Sequence, residues 1–590
     1  MENPISYYKE RLKTYQDTVK NLQKKLYALS MLRLAVFILV AIGIYLALGM
    51  WQVAVAIGLV GILVFIHALL KYTDTKREHA FYKALVAINE TELQIGSGDF
   101  LNRATGLEYQ DAKHVYSLDI DLFGRGSFFQ YLNRTTVADG THKLSSLLKA
   151  NNTANIKLRQ EAIQELRNLT KWRQHYAAKA SLVQVETPAN QIVAWLKAHQ
   201  TFLPKVMAWI PLVFGVVSVL LFFGIVFNFI ERIELIGYWL FLGLALSGIY
   251  LKKINVLAMN TDKVRDTFRQ YAELLNMIED ANFTTQLLVQ KQAQIQSQEK
   301  KASKIFKSFS RALDALDNRN NLIGAIFGNG LFLTDIRNSF RIERWITTYG
   351  STVTDWLEVV AFFDAFNSLG NYAFNHPDHV VPDITDEKTV MNVKNLGHPL
   401  IDSKKRITSD LLINQEQFFI VTGANMAGKS TFLRTVSLHI VMANVGLPVC
   451  ATSSVYYPVK LITSMRTSDS LTDDSSYFFS ELTRLKFIVD QIAIEPYFIV
   501  LDEILKGTNS TDKAIGSKKF VEKLVASKAT GIIATHDLSL CEIEQELHQV
   551  KNYYFDAEIV NDELYFDYKL KKGICQNMNA SFLLKKMNIV

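Results

Sequence analysis

Apolar positions along this chain fall into two regimes. In two places they run on with no charge to interrupt them. Elsewhere they recur at the spacing of amphipathic helices or in short strand-like runs. From Leu34 to Leu70 there is no Asp, Glu, Lys or Arg across 37 residues, room for two crossings at about 20 residues each. The break falls at Gly49–Gln52, which suits a tight turn with Trp51 at an interface. A second pair follows: Val206 to Ile230 and Leu235 to Leu251 are uncharged, separated by the turn Glu231–Glu234. The pattern predicts four transmembrane helices in two hairpins. Buried core helices are the alternative, but uncharged stretches this long are read as spans. A cleaved signal peptide fits poorly, because the first run starts late, is too long and is followed at once by another.

The flanks orient the hairpins. Lys20, Lys24, Lys25 and Arg33 precede the first span, and Lys71, Lys76 and Arg77 follow the second. Lys205 precedes the third, and Lys252 and Lys253 follow the fourth. The turns carry no net positive charge. By the positive-inside rule both hairpins enter the lipid bilayer from the cytoplasm and return to it. The expected localisation is a multi-pass membrane protein with both termini cytoplasmic.

The remaining pattern is polar and periodic. Asn255 to Thr348 is rich in Gln, Lys, Glu, Leu and Ala and reads as long helices. Within it Lys300, Lys301, Lys304, Lys307 and Arg311 fall near helical spacing, interleaved with Phe306 and Phe309. This stripe suits phosphates or acidic headgroups, or is simply a solvated face. Residues 1 to 30 also read as helical, with Tyr7, Leu12, Tyr15, Val19, Leu22 and Leu26 as a partner-facing stripe or simply the lead-in to the first span. At 590 residues the chain is too long for one ordinary core. A net charge of +7 is mild for this length and does not by itself imply nucleic acid. Cys450, Cys541 and Cys575 are far apart and form no metal-ligand pattern or disulfide framework.

The C-terminal third changes the picture. Between the apolar run Phe418–Val421 and the helix-like Thr431–Val445 stands TGANMAGKST, residues 422–431. Gly423, Gly428, Lys429 and Ser430 fit G-x-x-x-x-G-K-[ST]. In such a loop the backbone amides from Gly423 through Ala424, Asn425, Met426, Ala427 and Gly428 to Thr431 wrap phosphates. Lys429 reaches the β- and γ-phosphates, and Ser430 supplies an oxygen to Mg²⁺. A second buried strand, Phe498–Leu501, ends in Asp502 and Glu503. Asp502 is placed to hold Mg²⁺ and Glu503 to orient or deprotonate a water. A third strand, Gly531–Ala534, ends in Thr535-His536-Asp537, which puts His536 where it can sense a γ-phosphate. The cofactors this implies are ATP and Mg²⁺, and the activity is hydrolysis to ADP and phosphate.

Four spans and an ATPase suggest an ABC transporter, but no LSGGQ-type signature precedes the second acidic motif. The chain instead resembles the MutS family. TGANMAGKSTFLRTV is similar to that family's TGPNMGGKST loop, with Ala424 and Ala427 where the family favours Pro and Gly. DDSSYFFSEL resembles its trans-acting signature, in which Ser476 matches the serine that reaches the neighbouring subunit's γ-phosphate. LDEILKGTNSTDKA resembles LDEIGRGTSTxDG, with Asp512 matching its aspartate, and ATHDLSL resembles ATHYxxL. Upstream, Ser117–Leu144, Arg159–Leu166, Asp355–Phe374 and Gly397–Leu400 resemble landmarks of the family's helical core. The mismatch-reading module and its Phe-x-Glu reader are missing from the first hundred residues, where two membrane spans stand instead.

The resemblance implies a homodimer with composite sites, DNA as the ligand of helical levers, and partners of the mismatch-repair type that the sequence does not name. The expected fold is a P-loop NTPase α/β domain of the ABC/MutS type at the C-terminus, an all-α core and lever domain, and four transmembrane helices. The expected boundaries are an N-terminal cytoplasmic helix at 1–33, hairpins at 34–70 and 206–251, core and lever segments at 71–205 and 252–390, and the ATPase domain at 391–590. The alternative function is an ATP-driven membrane-remodelling or signalling protein that does not bind DNA. A transporter fits less well, because tight hairpins offer few polar intramembrane residues for a pathway.

Overall fold

The computed structural model describes residues 3–182, 188–296, 300–317, 322–424, 426–466, 477–560 and 563–576. The first apolar run does not form isolated spans. It lies inside two long antiparallel helices, α1 (Pro4–Leu46) and α2 (Trp51–Gly96), joined at Ala47–Met50. Asn3 caps α1 through its side chain, and Pro4 sits in the first turn, where its missing N–H costs nothing. The inward stripe of α1 is Tyr8, Tyr15 and Leu22, one residue every seven. Tyr8 donates to Asn375 Oδ1 at 2.7 Å, and Tyr15 packs beside Tyr82 of α2. The cytoplasmic helix expected at 1–33 and the first span are therefore one continuous rod.

The second apolar region forms α3 (Ile210–Val226) and α4 (Glu234–Glu279). Among the described residues, three helices reach the length and apolarity of a membrane span: α1, α2 and the first part of α4, Glu234–Thr261. The expected count of four is not met, because α3 has only 17 residues. Pro211 is tolerated only in a helix's first turn, so α3 cannot begin earlier, and Lys205–Ala208 is a 3₁₀ turn. At the other end Asn228 turns left-handed at φ 58°.

The polar stretch expected to be lever helices divides into several. α4 continues unbroken to Glu279. α5 (Ala302–Asp317) packs antiparallel along it, then come α6 (Leu322–Phe332), α7 (Thr334–Tyr349) and the buried α8 (Val353–Asn375). α5 buries Phe306 and Phe309 and exposes Lys304, Lys307 and Arg311. Asp364 of α8 accepts from the N–H groups of Thr136 and Val137. The buried carboxylate Glu92 near the end of α2 bonds Arg134, Asn371 and Asn375, which fastens the α1–α2 pair to α8.

The C-terminal part is α/β. Its main sheet contains β1 (Phe418–Gly423), β2 (Lys460–Ser464), β3 (Tyr497–Asp502), β4 (Thr530–Ala534), β5 (Val550–Phe555) and β6 (Lys571–Lys572). The order is β6-β5-β1-β4-β3-β2, parallel except for β6. β1, β3 and β4 are almost wholly buried, which is why they read as continuous apolar runs rather than alternating ones. A second sheet forms from 383–384, 453–456, 389–396 and 409–414. Helix α9 (Lys429–Val445) follows β1, and α10 (Ser510–Ala526) follows β3.

Candidate functional site

The sheet order brings the chemistry together. β1, β4 and β3 are neighbours, with Val421 opposite Ala534 and Asp502 opposite Ala534 in register. Their C-terminal ends therefore deliver the glycine loop, His536 and the Asp502-Glu503 pair to one edge, the usual ligand edge of a parallel sheet. Gly423 has φ 149° and Gly428 φ 103°. A Cβ on Gly423 would meet Phe555 O at 2.7 Å, and one on Gly428 would meet Tyr568 Cδ1 at 3.1 Å. Both positions need glycine for conformation and for space. α9 opens on Gly428 with no capping side chain, so its first-turn N–H groups are left for a ligand.

Lys429 is buried, and its Nζ donates to Gly423 O at 2.7 Å and Ala424 O at 3.0 Å. Burial lowers its ammonium below the ordinary value, with Glu503 and Asp502 opposing. Ser430 Oγ donates to Asp502 Oδ2 at 2.6 Å. Burial pushes Asp502 above the ordinary carboxylate range, and the Ser430 bond opposes it. Two oxygen donors in contact, one anionic and short of positive charge, suit a hard divalent cation.

Glu503 sits on strained backbone at φ 51°, its N–H held by Ala534 O at 2.9 Å. Its Oε1 lies 2.5 Å from His536 Nε2, and Lys506 Nζ is 3.8 Å from Oε2. The hydrogen bond to His536 holds Glu503 down at about 2. The other ring nitrogen, Nδ1, lies 3.0 Å from Gly423 O and 3.4 Å from Lys429 Nζ. His536 therefore bridges the acidic pair and the glycine loop.

A cleft of about 360 Å³ adjoins the loop, lined by His398, Ile407, Met426, Thr431, Phe432 and Tyr568 among others. Met426 is exposed, at φ 68°, and Ala427 is buried beneath the loop. The structure brings together Gly423, Ala424, Gly428, Lys429, Ser430, Asp502, Glu503 and His536. Asn425 and Ser476 lie outside the described residues. The fit to Mg²⁺ and a polyphosphate rests on the paired oxygens of Ser430 and Asp502, the uncapped helix and the two glycines.

Residues 419–585 match the family model for MutS domain V. The C-terminal part of the chain is thus similar to MutS domain V. It is 32% identical over 234 residues to human MutS protein homolog 4, covering 38% of this chain and 24% of that protein. It is 31% identical over 240 residues to the DNA mismatch repair protein MutS of Finegoldia magna (39% of this chain, 28% of that protein). It is 27% identical over 256 residues to the protein of the same name in Staphylococcus haemolyticus (42% and 29%). The chain thus matches only about a quarter of these relatives' length.

Three residues given no role at the site from sequence also act on it. Glu481 is buried and accepts from Leu505 N at 2.6 Å and Lys506 N at 3.1 Å, which fixes the loop that follows Glu503. The available signal was a carboxylate on the apolar face of helix Tyr477–Ile492, in line with Phe478, Leu485 and Ile488. His398, from the Gly397–Leu400 landmark, and Tyr568 come to the cleft from distant segments. The Ser117–Leu144 segment docks here too. Asp119 accepts from Thr463 Oγ1 and Arg466 N, and Asp121 pairs with Arg466 at 2.6 Å and Arg434 at 3.3 Å.

Proposed function

We propose that this chain is a membrane-anchored ATPase that works as a dimer and couples ATP hydrolysis to DNA binding by its helical levers. The observation that carries the reading is the meeting of Lys429, the Ser430–Asp502 pair and the Glu503–His536 pair at the ends of three adjacent strands. In this reading the loop amides and Lys429 bind the phosphates, and the cleft beside Tyr568 and His398 takes the base. Ser430 and Asp502 would hold Mg²⁺, which when bound offsets charge on the phosphate oxygens. Glu503 orients a water for attack on the γ-phosphorus and accepts its proton. His536 exchanges its contact with Glu503 for the γ-phosphate, and this frees the carboxylate. Ser476 of a second copy completes the site, as in the motif it resembles.

In this reading 391–590 is the ATPase, and the boundaries expected at 33, 70 and 251 fall inside the continuous helices α1, α2 and α4. Both hairpins enter from the cytoplasm, as the basic flanks argue, so the site faces ATP. DNA is supported by the relatives' names and by a cationic surface. Lys304, Lys307 and Arg311 of α5 and Arg337, Arg341 and Arg344 of α7 are exposed with no carboxylate partner among the described residues. The test is DNA binding by the detergent-solubilised protein across salt. Affinity should fall with a log–log slope of about −0.9 per phosphate contacted. Retention of ATPase activity with no salt-dependent DNA binding would favour the remodelling or signalling alternative.

A further inference from the structure

The helix between α5 and α7 does not match its neighbours. α6 reads LIGAIFGNGLF and carries no charge, whereas α5 and α7 expose lysines and arginines. It leaves Ile323 69% and Phe327 54% exposed, with Ile326 and Phe332 also outward. Its other face lies on α3 and α4. Those helices expose large apolar chains of their own, such as Leu220 and Phe241. The apolar surface is thus continuous across all three helices and larger than scattered surface residues would give.

The contact with α4 is backbone against backbone. A Cβ on Gly243 would meet Gly330 O at 2.3 Å, and one on Gly330 would meet Leu240 Cγ at 2.6 Å. Small residues that let helices approach this closely are characteristic of packing in lipid. The polar groups where α6 ends are satisfied by protein. Ser218 Oγ lies 2.5 Å from Leu331 O and accepts from Trp239 Nε1 at 2.8 Å, while Trp239 stacks on Phe214. Leu333 is buried and left-handed at φ 49°. Asn329 Oδ1 closes the elbow by accepting from Asp335 N and Thr334 Oγ1. Irregular backbone at membrane depth is tolerated only when enclosed in this way.

Register gives the depth. Gly243 lies nine residues before Lys252 on a continuous helix, so the Gly243–Gly330 contact is about 13 Å below Lys252 at about 1.5 Å per residue. Phe332 lies against Gly215, five residues into α3. On the way out, Glu343 of α7 accepts from Phe202 N and Leu203 N, just before the 3₁₀ turn that precedes α3. Arg337 comes one turn after the elbow and is exposed, with a side chain long enough to reach headgroups.

The geometry points to α6 as a re-entrant membrane helix. It descends beside α4 from the level of Lys252 and turns at Leu333, and α7 carries the chain back to the same side. Ile323, Ile326 and Phe327 face lipid acyl chains. The inference rests on the reading of α1–α2 and α3–α4 as membrane hairpins. It makes α6 a wedge against α4, which runs on to the core, so that a shift of α7 would be felt at the hairpin.

The test uses the full chain in membrane vesicles with the cytoplasmic face outward, labelled with a membrane-impermeant maleimide. The three native cysteines are buried, and labelling of the parent chain is subtracted. Ser308→Cys on α5 should label. Phe327→Cys and Ile323→Cys should stay unlabelled until detergent is added, as should Val60→Cys on α2. A bimane on Phe327→Cys should be quenched by lipids brominated on the acyl chain and not by aqueous iodide. Labelling at 327 and 323 with protection at 60 overturns the re-entrant helix and leaves the hairpins standing. Labelling at 60 as well overturns the membrane reading with it.

Discussion

Glu503→Gln is the sharpest perturbation of the proposed chemistry, because it removes a charge and a proton acceptor while keeping the shape. The carboxylate touches His536 Nε2 at 2.5 Å and is held at about 2. A base that weak accepts a proton poorly, since efficient general bases have values near the working pH. As placed here, Glu503 is restrained by His536, and hydrolysis requires the histidine to move. Replacing Glu503 should lower ATP turnover by about 10²- to 10⁴-fold, or about 2.7–5.4 kcal/mol at 1.36 kcal/mol per decade. The Kd for ATP should hold or tighten, because Lys429, Ser430 and the loop amides are untouched. The assay is steady-state phosphate release beside equilibrium binding of a fluorescent ATP analogue. Turnover within threefold of the parent would remove Glu503 from its role, and loss of binding together with turnover would show a structural role instead. A companion variant separates the two halves of the argument. His536→Ala deletes the group that depresses Glu503 in the free enzyme, so the acid limb of the kcat/KM profile should move to higher pH. An unmoved limb would mean that the pair does not govern the base.

Four further outcomes are expected. Gly428→Ala places a side chain at φ 103° against Tyr568 and should cost about 1–3 kcal/mol in strain, seen as a loss of roughly 5- to 150-fold in ATP affinity. Glu481→Ala leaves the buried N–H of Leu505 without its acceptor, a loss of about 1–3 kcal/mol, read as a lower unfolding temperature and slower turnover with binding retained. Glu503's depressed value means that its pair with His536 contributes stability above about pH 4.5 that is lost as pH falls toward about 2; acid unfolding of Glu503→Gln should lack that component. Mixed dimers of Ser476→Ala and Lys429→Ala chains should show ATPase activity above either variant alone, and none would refute the composite site.

The sequence carried the nucleotide-site geometry because every part of it is local. A buried strand, a glycine loop and a helix start are written in consecutive residues, and the parallel sheet then needs only the strand order to gather three such ends. Glu481, His398 and Tyr568 were not legible for the opposite reason, since their roles exist only after distant segments fold together. The membrane side failed at finer grain. Counting uncharged residues found both apolar regions, but helix boundaries are set by backbone chemistry, and Pro211 shortens α3 to 17 residues. Composition averaged over Asn255–Thr348 hid α6, because eleven uncharged residues between two basic helices vanish in a long window. The same averaging obscured the linkage. The apolar runs proved to be parts of rods, with α2 reaching Glu92 and α4 reaching Glu279, both buried against the core. Buried carboxylates at the ends of such rods are held by fixed donors, and a rod that cannot rotate freely transmits displacement. Glu92 is held by Asn371 and Asn375 at the end of α8, which leads into the second sheet at 383–414. In the proposed membrane reading, a motion of the nucleotide loop would reach the bilayer through these hydrogen bonds, which a conservative change can remove. Glu92→Gln keeps the side chain's shape but leaves a neutral amide against buried Arg134, a change that typically costs about 3–5 kcal/mol for a broken buried pair. If the rod is the coupling element, lipid composition should alter ATP turnover in the parent and cease to do so in that variant. An equal response to lipid in both would place the coupling elsewhere.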